Sequence, residues 1–455
     1  MKHKLTGLFL SLLCMLLLRD SVFAAAAAIP APVAAPAAVA PAAADPEWQK
    51  IETQVLALPD PRQIISPGLF DRELFHIVTF PKDGGAVDLG LPHLGKDQAG
   101  KDHPALLARL AQGAIWVDLN GDGKPGADEV RRVGTAPDGF TEPFTSELHY
   151  EDGSSAQYIF RFKTLVEGEK YALVRTMARE AHFQGKKIML LDDDGNGKYD
   201  DAARDVVVVE GSPPAFLGKY IAIGDKFYEL LVHAGGATIE IRPAPEMEYG
   251  WVDLFEGYKP AQRSSNLQMH DLIVSGPTGS FAMDETHKNV KVPVGAYDLV
   301  FGLLERTKET IYIKKGDKTS FNVLSKKVAA PEWGGAITAK FDLDSDGSEI
   351  TIGKLAFIGA ASEQYIPENY RQTPVQGTLS RVFTDSTRIE QKTPVGSRAF
   401  KLLPDGGLSP LVFKPFRTKS EEYEGAVEFT SGILGQVLSR QRLHFVYKKK
   451  ETKPK

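Results

Sequence analysis

Hydrophobic and polar residues alternate along most of the chain in short runs that predict β-strands. Turns rich in Gly, Asp, Asn and Pro separate the runs at intervals of about 8–12 residues. Tyr158, Phe160 and Phe162 occupy alternate positions of one run, so we expect them to face the same side of a sheet and to form core. The strands predicted in the first half are Ala114–Val117, Gln157–Phe162, Tyr171–Arg175, Lys187–Leu191, Val206–Glu210, Phe227–His233 and Thr238–Arg242.

Two segments early in the folded part predict helices instead. Glu47–Leu58 favours a short helix that ends at a Pro-Asp-Pro turn. Pro104–Gln112 is rich in Leu and Ala, its proline suits the first turn of a helix, and Gly113 follows as a stop. The predicted fold class is therefore mainly β and multi-domain, with β-sandwich-like modules, a short N-terminal helical portion and Asp-rich calcium loops between strands.

The N-terminal residues 1–24 have the pattern of a secretory signal peptide. Lys2 and Lys4 precede the apolar run Leu5–Leu18, and small residues around Ala24 offer a cleavage site. Residues 25–46 contain 13 Ala and 5 Pro, which predicts an extended linker. We expect a secreted or periplasmic protein.

Composition and charge narrow the function classes. A hydrophobic fraction of 42% excludes a wholly disordered chain, and a net charge of -5 gives no electrostatic case for nucleic-acid binding. The one cysteine, Cys14, lies in the predicted signal peptide, so the mature chain would have no disulfide and no cysteine metal site. No later run approaches ~18 apolar residues, so no transmembrane segment is expected in the mature chain.

Three folded regions are predicted after the linker. Residues 47–250 form a β-rich domain with two acidic loops, 251–330 a small β-sandwich module, and 331–455 a C-terminal β-rich domain. The segment Val-Pro-Val-Gly-Ala-Tyr-Asp-Leu at 292–299 resembles the transthyretin-like or carboxypeptidase-regulatory-like β-sandwich repeats of secreted bacterial proteins. That resemblance implies a spacer or binding module.

The first acidic loop begins at Asp118 and has the spacing of a calcium loop. Calcium takes six to eight oxygen ligands, and side chains at positions 1, 3 and 5 converge when a glycine at position 6 lets the chain turn around the ion. A main-chain carbonyl at 7 and a glutamate at 12 complete the pattern. The predicted metal residues are Asp118, Asn120, Asp122, Lys124, Asp128 and Glu129.

This loop resembles an EF-hand-like or dockerin-like calcium loop of the bacterial secreted type, although a strand leads into it and Pro125-Gly126 disfavours a following helix. Because the loop differs from an EF-hand in this way, Glu129 and Asp128 are both candidates for the ligand that completes the calcium shell. The alternative is a solvated polar turn without an ion.

The second acidic loop, Asp192–Asp205, has a sequence pattern similar to that of the first. Its position 12 is Ala203, so the closing glutamate is missing and nearby aspartates would have to replace it. Six carboxylates within this stretch repel one another unless a cation intervenes. A polar hairpin loop is the alternative. The predicted metal residues are Asp192, Asp194, Asn196, Lys198, Asp200, Asp201 and Asp205.

A third acidic turn carries the weaker metal candidates Asp342, Asp344 and Asp346. Apolar residues alternate on both sides of this turn, which favours a plain β-hairpin with Ser-Asp-Gly at its tip.

The chemistry on the sequence therefore points to Ca²⁺ as cofactor and to no catalytic set. Neither a His-Glu-x-x-His zinc pair nor a Gly-x-Ser-x-Gly elbow occurs. We expect a secreted, calcium-binding, non-catalytic binding or scaffolding protein whose partner is an unidentified protein or glycan of the cell envelope. Calcium would have a structural role, because extracellular calcium saturates sites with dissociation constants of about 10⁻⁴–10⁻³ M. The alternatives are a secreted hydrolase and a carbohydrate-binding protein.

Overall fold

Strands account for nearly all of the regular structure, as the alternation predicts. The computed structural model describes residues 46–58, 64, 66–69, 75–92, 95–96, 102–103, 105–133, 140–165, 170–260, 268–306, 309–335, 337–345, 349–367, 375–384, 390–401, 408–414, 420–429 and 441–448. The predicted signal peptide and most of the predicted linker lie outside the described residues. No helix in the described ranges combines the length and the hydropathy needed to cross a membrane.

The first nineteen strands carry both acidic loops. They are β1 (Gln49–Glu52), β2 (Gln54–Ala57), β3 (His76–Thr79), β4 (Val87–Asp88), β5 (Gly95–Lys96), β6 (Asp102–His103), β7 (Leu107–Ala111), β8 (Ala114–Val117), β9 (Val130–Arg132), β10 (Phe144–His149), β11 (Ser155–Thr164), β12 (Lys170–Arg175), β13 (Met177–Phe183), β14 (Lys186–Leu191), β15 (Val206–Val209), β16 (Ala215–Phe216), β17 (Tyr220–Ile223), β18 (Lys226–Val232) and β19 (Thr238–Pro243). Short 3₁₀ turns occur at Pro67–Leu69 and Ala127–Glu129.

The second half continues with one four-residue helix and eighteen strands. They are β20 (Tyr249–Val252), α1 (Leu254–Gly257), β21 (Tyr258–Pro260), β22 (Gln268–Gly276), β23 (Gly279–Met283), β24 (Val290–Pro293), β25 (Gly295–Arg306), β26 (Glu309–Lys314), β27 (Ser320–Val323), β28 (Val328–Ala329), β29 (Trp333–Gly335), β30 (Thr338–Ser345), β31 (Ile350–Ile358), β32 (Gln364–Pro367), β33 (Val375–Thr384), β34 (Glu390–Ala399), β35 (Leu411–Phe413), β36 (Ser420–Phe429) and β37 (Gln441–Lys448).

The strands of the first half form several antiparallel sheets that share one core. The larger ones have the orders β1-β19-β18-β17, β10-β11-β12-β3, β16-β15-β14-β13-β2 and β4-β7-β8-β9. In β11, Tyr158, Phe160 and Phe162 are fully buried, which confirms the core side predicted from their alternation. Their rings pack in stacked and edge-to-face pairs with centroids 5.8–5.9 Å apart.

In the second half, one large sheet takes strands from both sides of residue 330. Its path runs β23-β22-β25-β26-β32-β31-β30, with β27 paired to β25 and β35 to β31. Two short pairings are parallel, β20 with β28 and β21 with β29. A mainly β fold of several antiparallel sheets is thus confirmed, while the domain boundaries and the transthyretin-like resemblance stay predictions.

The predicted N-terminal helices are wrong. Glu47–Leu58 instead contributes β1, paired with β19, and β2, paired with β13. Within Pro104–Gln112 the regular structure is β7, in which Ala108 is buried and Leu107 exposed, and Leu106, just before the strand, also lies in the core. Leu and Ala favour helix only weakly, and pairing with a neighbouring strand outweighs that preference. Gln112 and Gly113 both have positive φ, as in the type I′ turn that joins two antiparallel strands, here β7 and β8.

Candidate metal centre

Each acidic loop begins directly after a strand, the first after β8 and the second after β14, and the two loops have the same pattern of internal hydrogen bonds. In each loop the amide at position 6 donates to the carboxylate at position 1, and the amides at 5 and 7 donate to the side chains at 3 and 5. The repeat seen in the sequence is therefore also a repeat in backbone structure. The bonds from positions 6, 5 and 7 measure 3.1, 2.9 and 2.7 Å in the first loop (Gly123 to Asp118, Asp122 to Asn120, Lys124 to Asp122) and 2.7, 3.2 and 2.7 Å in the second (Gly197 to Asp192, Asn196 to Asp194, Lys198 to Asn196).

Glu129 closes the first loop through N–H donors. Its Oε1 accepts from the amides of Leu119 (2.9 Å) and Asn120 (3.2 Å), and its Oε2 from the amide of Gly126 (2.7 Å). The indole Nε1 of Trp116 also lies 3.4 Å from Oε2. The carboxylate is buried and already well supplied with donors, so the loop keeps its shape through protein contacts.

The other predicted ligands of the first loop differ in burial. Asn120, Asp122, Lys124 and Asp128 are exposed, whereas Asp118 is buried. One oxygen of Asp118 accepts from Gly123, and the other, Oδ1, is buried without a hydrogen-bond partner. A buried carboxylate oxygen without a donor is costly, and a cation would remove that cost.

The second loop brings three aspartates together. Asp192, Asp194 and Asp205 are all buried, and one oxygen from each lies within 4.8 Å of the other two, which makes a group that could hold a metal ion. The strand pairing explains the meeting of two of them. Leu191 at the end of β14 lies opposite Val206 at the start of β15, so the residues just beyond that pair, Asp192 and Asp205, face each other.

Asp193 points away from this group although it lies between two of its members. Its carboxylate accepts hydrogen bonds from Ser66 Oγ and from the amide of Gly68 (2.6 Å). Arg175 Nη2 lies 3.1 Å from Asp193 Oδ1, and both side chains are almost fully buried. Asp193 therefore ties the loop to β12 and to the 3₁₀ turn at Pro67–Leu69.

The electrostatics of the second loop leave an excess of negative charge. Asp193 is paired with Arg175, and Asp194 with Arg204 Nη1 at 3.0 Å, an arginine whose side chain is 58% exposed. Among the described residues, Asp192 and Asp205 form no ion pair. Burial, with repulsion from Asp194, raises the pKa of Asp192 to about 7, and burial with repulsion from Asp192 raises the pKa of Asp205 well above its usual range. When both groups are ionised, their combined charge is equal in magnitude and opposite in sign to that of one divalent cation.

Two tyrosines, one on β11 and one directly after β10, donate hydrogen bonds to the second loop. Tyr158 donates its hydroxyl to Asp192 Oδ2 at 2.6 Å, and Tyr150 donates to the carbonyl of Gly197 at 2.8 Å. Gly197 has a φ of +84°, and a Cβ there would lie 2.7 Å from Pro92 and 2.8 Å from Leu148. The alternation of apolar residues predicts Tyr158 only as core, because no local motif links either tyrosine to the loop.

The remaining predicted ligands lie at the edge of the group. Asn196 donates from Nδ2 to Asp201 Oδ2 at 2.5 Å, and the amide of Asp201 donates to Asp205 at 2.8 Å. Lys198 and Asp200 are exposed, and partial burial with repulsion from Asp201 raises the pKa of Asp200.

At the third acidic turn, the described residues form the expected hairpin. β30 pairs with β31, with Ser345 opposite Ile350. Asp342 is exposed and lies 3.0 Å from Lys354 Nζ, and Asp344 accepts a hydrogen bond from the amide of Ser345. Asp346 lies outside the described residues.

Comparisons with known proteins add no relative from which a role could be transferred. No protein-family model matches the sequence, and the search of curated proteins finds no match.

Proposed function

We propose that the second loop binds Ca²⁺, and that the ion stabilises a secreted, non-catalytic binding or scaffolding protein of the cell envelope. The observation that carries the proposal is the buried convergence of Asp192, Asp194 and Asp205. Three carboxylates sharing a buried space repel one another, and a divalent cation converts that repulsion into attraction.

The donor set favours calcium over other metals. All three groups offer oxygen, and neither histidine nor cysteine belongs to the cluster, so a zinc or copper preference has no support. Magnesium demands near-ideal octahedral geometry and keeps several waters, whereas calcium accepts irregular shells of six to eight oxygens. The spacing of Asn196 and Lys198 at positions 5 and 7 would add a side-chain oxygen and a main-chain oxygen to such a shell.

The position of the loop supports a structural role for the ion. Asp192 follows β14 of the five-stranded sheet, and Tyr158, its hydrogen-bond donor, lies on β11 of the adjacent sheet. Fixing Asp192 with an ion would therefore also fix the contact between these two sheets. A role in holding loops is consistent with a mature chain that is expected to contain no disulfide.

We extend the proposal to the first loop, on separate support. The buried Asp118 Oδ1 without a hydrogen-bond partner is an acceptor that a cation would satisfy. Because Glu129 is occupied by N–H donors, we expect this loop to bind calcium more weakly than the second loop.

Thermal unfolding with and without calcium tests the proposal. At a calcium concentration 100 times the dissociation constant, binding to the native state alone adds about 2.7 kcal/mol to the free energy of unfolding. For a cooperative unit of about 150–250 residues this raises the melting temperature by roughly 5–11 °C. A chelator should reverse the shift, and magnesium at equal concentration should reproduce little of it. The proposal fails if millimolar calcium and a chelator both leave the melting temperature unchanged.

A further inference from the structure

A groove lies on the exposed face of the sheet β4-β7-β8-β9, beside the first acidic loop. Its volume is about 740 Å³, within the range of about 300–1,000 Å³ typical of ligand sites. We call it the outer groove. The lining residues that matter below are Arg109, Ala111, Gln112, Ala114, Trp116 and Arg132.

The strand register arranges these side chains in two rows across β7, β8 and β9. Neighbouring strands are about 4.8 Å apart and rows two residues apart are about 6.8 Å apart, so the Cα atoms of Arg109 and Arg132, at opposite corners, are about 12 Å apart. The small side chains of Ala111 and Ala114 lie beside Trp116 on this face. The first row is Arg109, Trp116 and Val130, and the second row is Ala111, Ala114 and Arg132.

Two arginine side chains line the groove. Among the described lining residues, Arg109 and Arg132 are the ones that carry charge, and both are exposed. Guanidinium groups are suited to bidentate hydrogen bonding with planar anions such as carboxylates. These two guanidinium groups favour a ligand that carries carboxylates.

The aromatic part of the groove is held in place before any ligand arrives. The guanidinium of Arg109 lies over the Trp116 ring, with Cζ 5.1 Å from the ring centroid. The other end of the indole is tied by Nε1 to Glu129, which closes the first loop. A half-buried indole fixed in this way offers a rigid apolar surface at low entropic cost.

We propose that the outer groove binds a carboxylated oligosaccharide. A sugar acid has the three kinds of group that the lining matches: carboxylates for Arg109 and Arg132, hydroxyls for the amide of Gln112, and C–H faces for Trp116 and the two alanines. The Cα atoms of the two arginines are about 12 Å apart, so a ligand that carries more than one carboxylate suits both side chains better than a single small anion does. This proposal does not depend on a metal in the second loop.

Isothermal titration calorimetry at a fixed calcium concentration tests the proposal, with tetragalacturonate as the probe. We expect saturable binding that weakens as sodium chloride is added, and no binding of neutral maltotetraose. Arg109→Gln and Arg132→Gln should each raise the dissociation constant about tenfold or more, since each removes charge-assisted hydrogen bonds to a carboxylate. Lys354→Gln, at an exposed lysine paired with Asp342, is the matched control and should leave binding unchanged.

Several outcomes would overturn the proposal. These are no binding of tetragalacturonate, equal binding of maltotetraose, or binding that both arginine variants leave unchanged. Tighter binding of a thymidine oligonucleotide than of tetragalacturonate would assign the groove to phosphate ligands instead. Circular dichroism and melting of each variant separate a lost site from a lost fold, and if Arg109→Gln fails to fold, Arg132→Gln decides.

Discussion

Asp193 and Asp194 are adjacent, buried and paired with one arginine each, but only Asp194 belongs to the group of three carboxylates. Exchanging each for asparagine therefore makes a matched pair of variants. We expect Asp193→Asn to destabilise the protein equally with and without calcium. We expect Asp194→Asn to cost little without calcium and to lose most of the stabilisation that calcium provides.

The structure sets the magnitudes. Asp193→Asn leaves the Arg175 guanidinium buried without its carboxylate, and Nε and Nη1 of Arg175 already have no hydrogen-bond partner. Breaking a buried pair in this way costs about 3–5 kcal/mol. Asp194→Asn releases Arg204, whose side chain is 58% exposed, so the lost pair is screened by water and costs about 1 kcal/mol or less.

The increase in the free energy of unfolding that calcium causes, here called the calcium increment, distinguishes the two variants. At 100 times the wild-type dissociation constant the increment is about 2.7 kcal/mol, and it falls to about 1.4 kcal/mol for a tenfold loss of affinity and about 0.4 kcal/mol for a hundredfold loss. Urea unfolding monitored by tryptophan fluorescence, in saturating calcium and in chelator, measures both quantities. If Asp194→Asn keeps the full calcium increment, or if Asp193→Asn loses it while remaining folded, Asp194 is not the calcium ligand of the pair.

Three further predictions use other parts of the chain. Arg204→Gln should tighten calcium binding several-fold in a calorimetric titration, because a competing cation 3.0 Å from Asp194 is removed, and weaker binding would contradict this. Glu129→Gln should lower the free energy of unfolding in chelator by about 1–3 kcal/mol, since an NH₂ group then faces N–H donors; a value equal to wild type would exclude the closing role. Burial raises the pKa of Asp271 to about 6, so the stability due to its neutral form is complete below about pH 4 and is lost as the pH rises through 6. Asparagine tolerates the φ of +45° at this position. The Asp271→Asn variant should therefore exceed wild type in free energy of unfolding by about 3 kcal/mol at pH 8 and lose most of that advantage by pH 4, and a constant difference across this range would be the contrary result.

The mainly β fold could be predicted because its signal is local. Alternation in β11 places Tyr158, Phe160 and Phe162 on one buried side, and no long-range contact is needed to see it. The segments predicted as helices show the opposite case. Leu107–Ala111 has helix-favouring residues, but its hairpin with β8 and its pairing with β4 decide its structure. Those partners lie outside the window in which helical propensity is assessed.

In the candidate site, too, local spacing predicts some features, while others depend on distant strands. Spacing alone predicts Asp192 and Asp194 as ligands, and because Ala203 occupies position 12 in place of a glutamate, it also makes nearby aspartates such as Asp205 candidates. Spacing could not show that Asp193 turns towards Arg175, since that depends on β12 and on the turn near Ser66. Nor could it show Tyr158 beneath Asp192, because the two residues are joined only when β11 packs against the loop.

The two loops have the same backbone hydrogen bonds but differ in how closely their buried carboxylates approach one another. Both place an amide at position 6 on the carboxylate at position 1, so the turn itself needs no ion. In the first loop the closing carboxylate, Glu129, takes its partners from N–H groups, and its negative charge is spread over several donors. In the second loop the carboxylate that faces Asp192 is Asp205, which also accepts from two amides but lies close enough to Asp192 for the two groups to repel each other. The shared hydrogen bonds already hold the turn in both loops. The unfavourable free energy particular to the second loop is therefore the repulsion between its buried carboxylates, and a divalent cation is the ligand that would remove it.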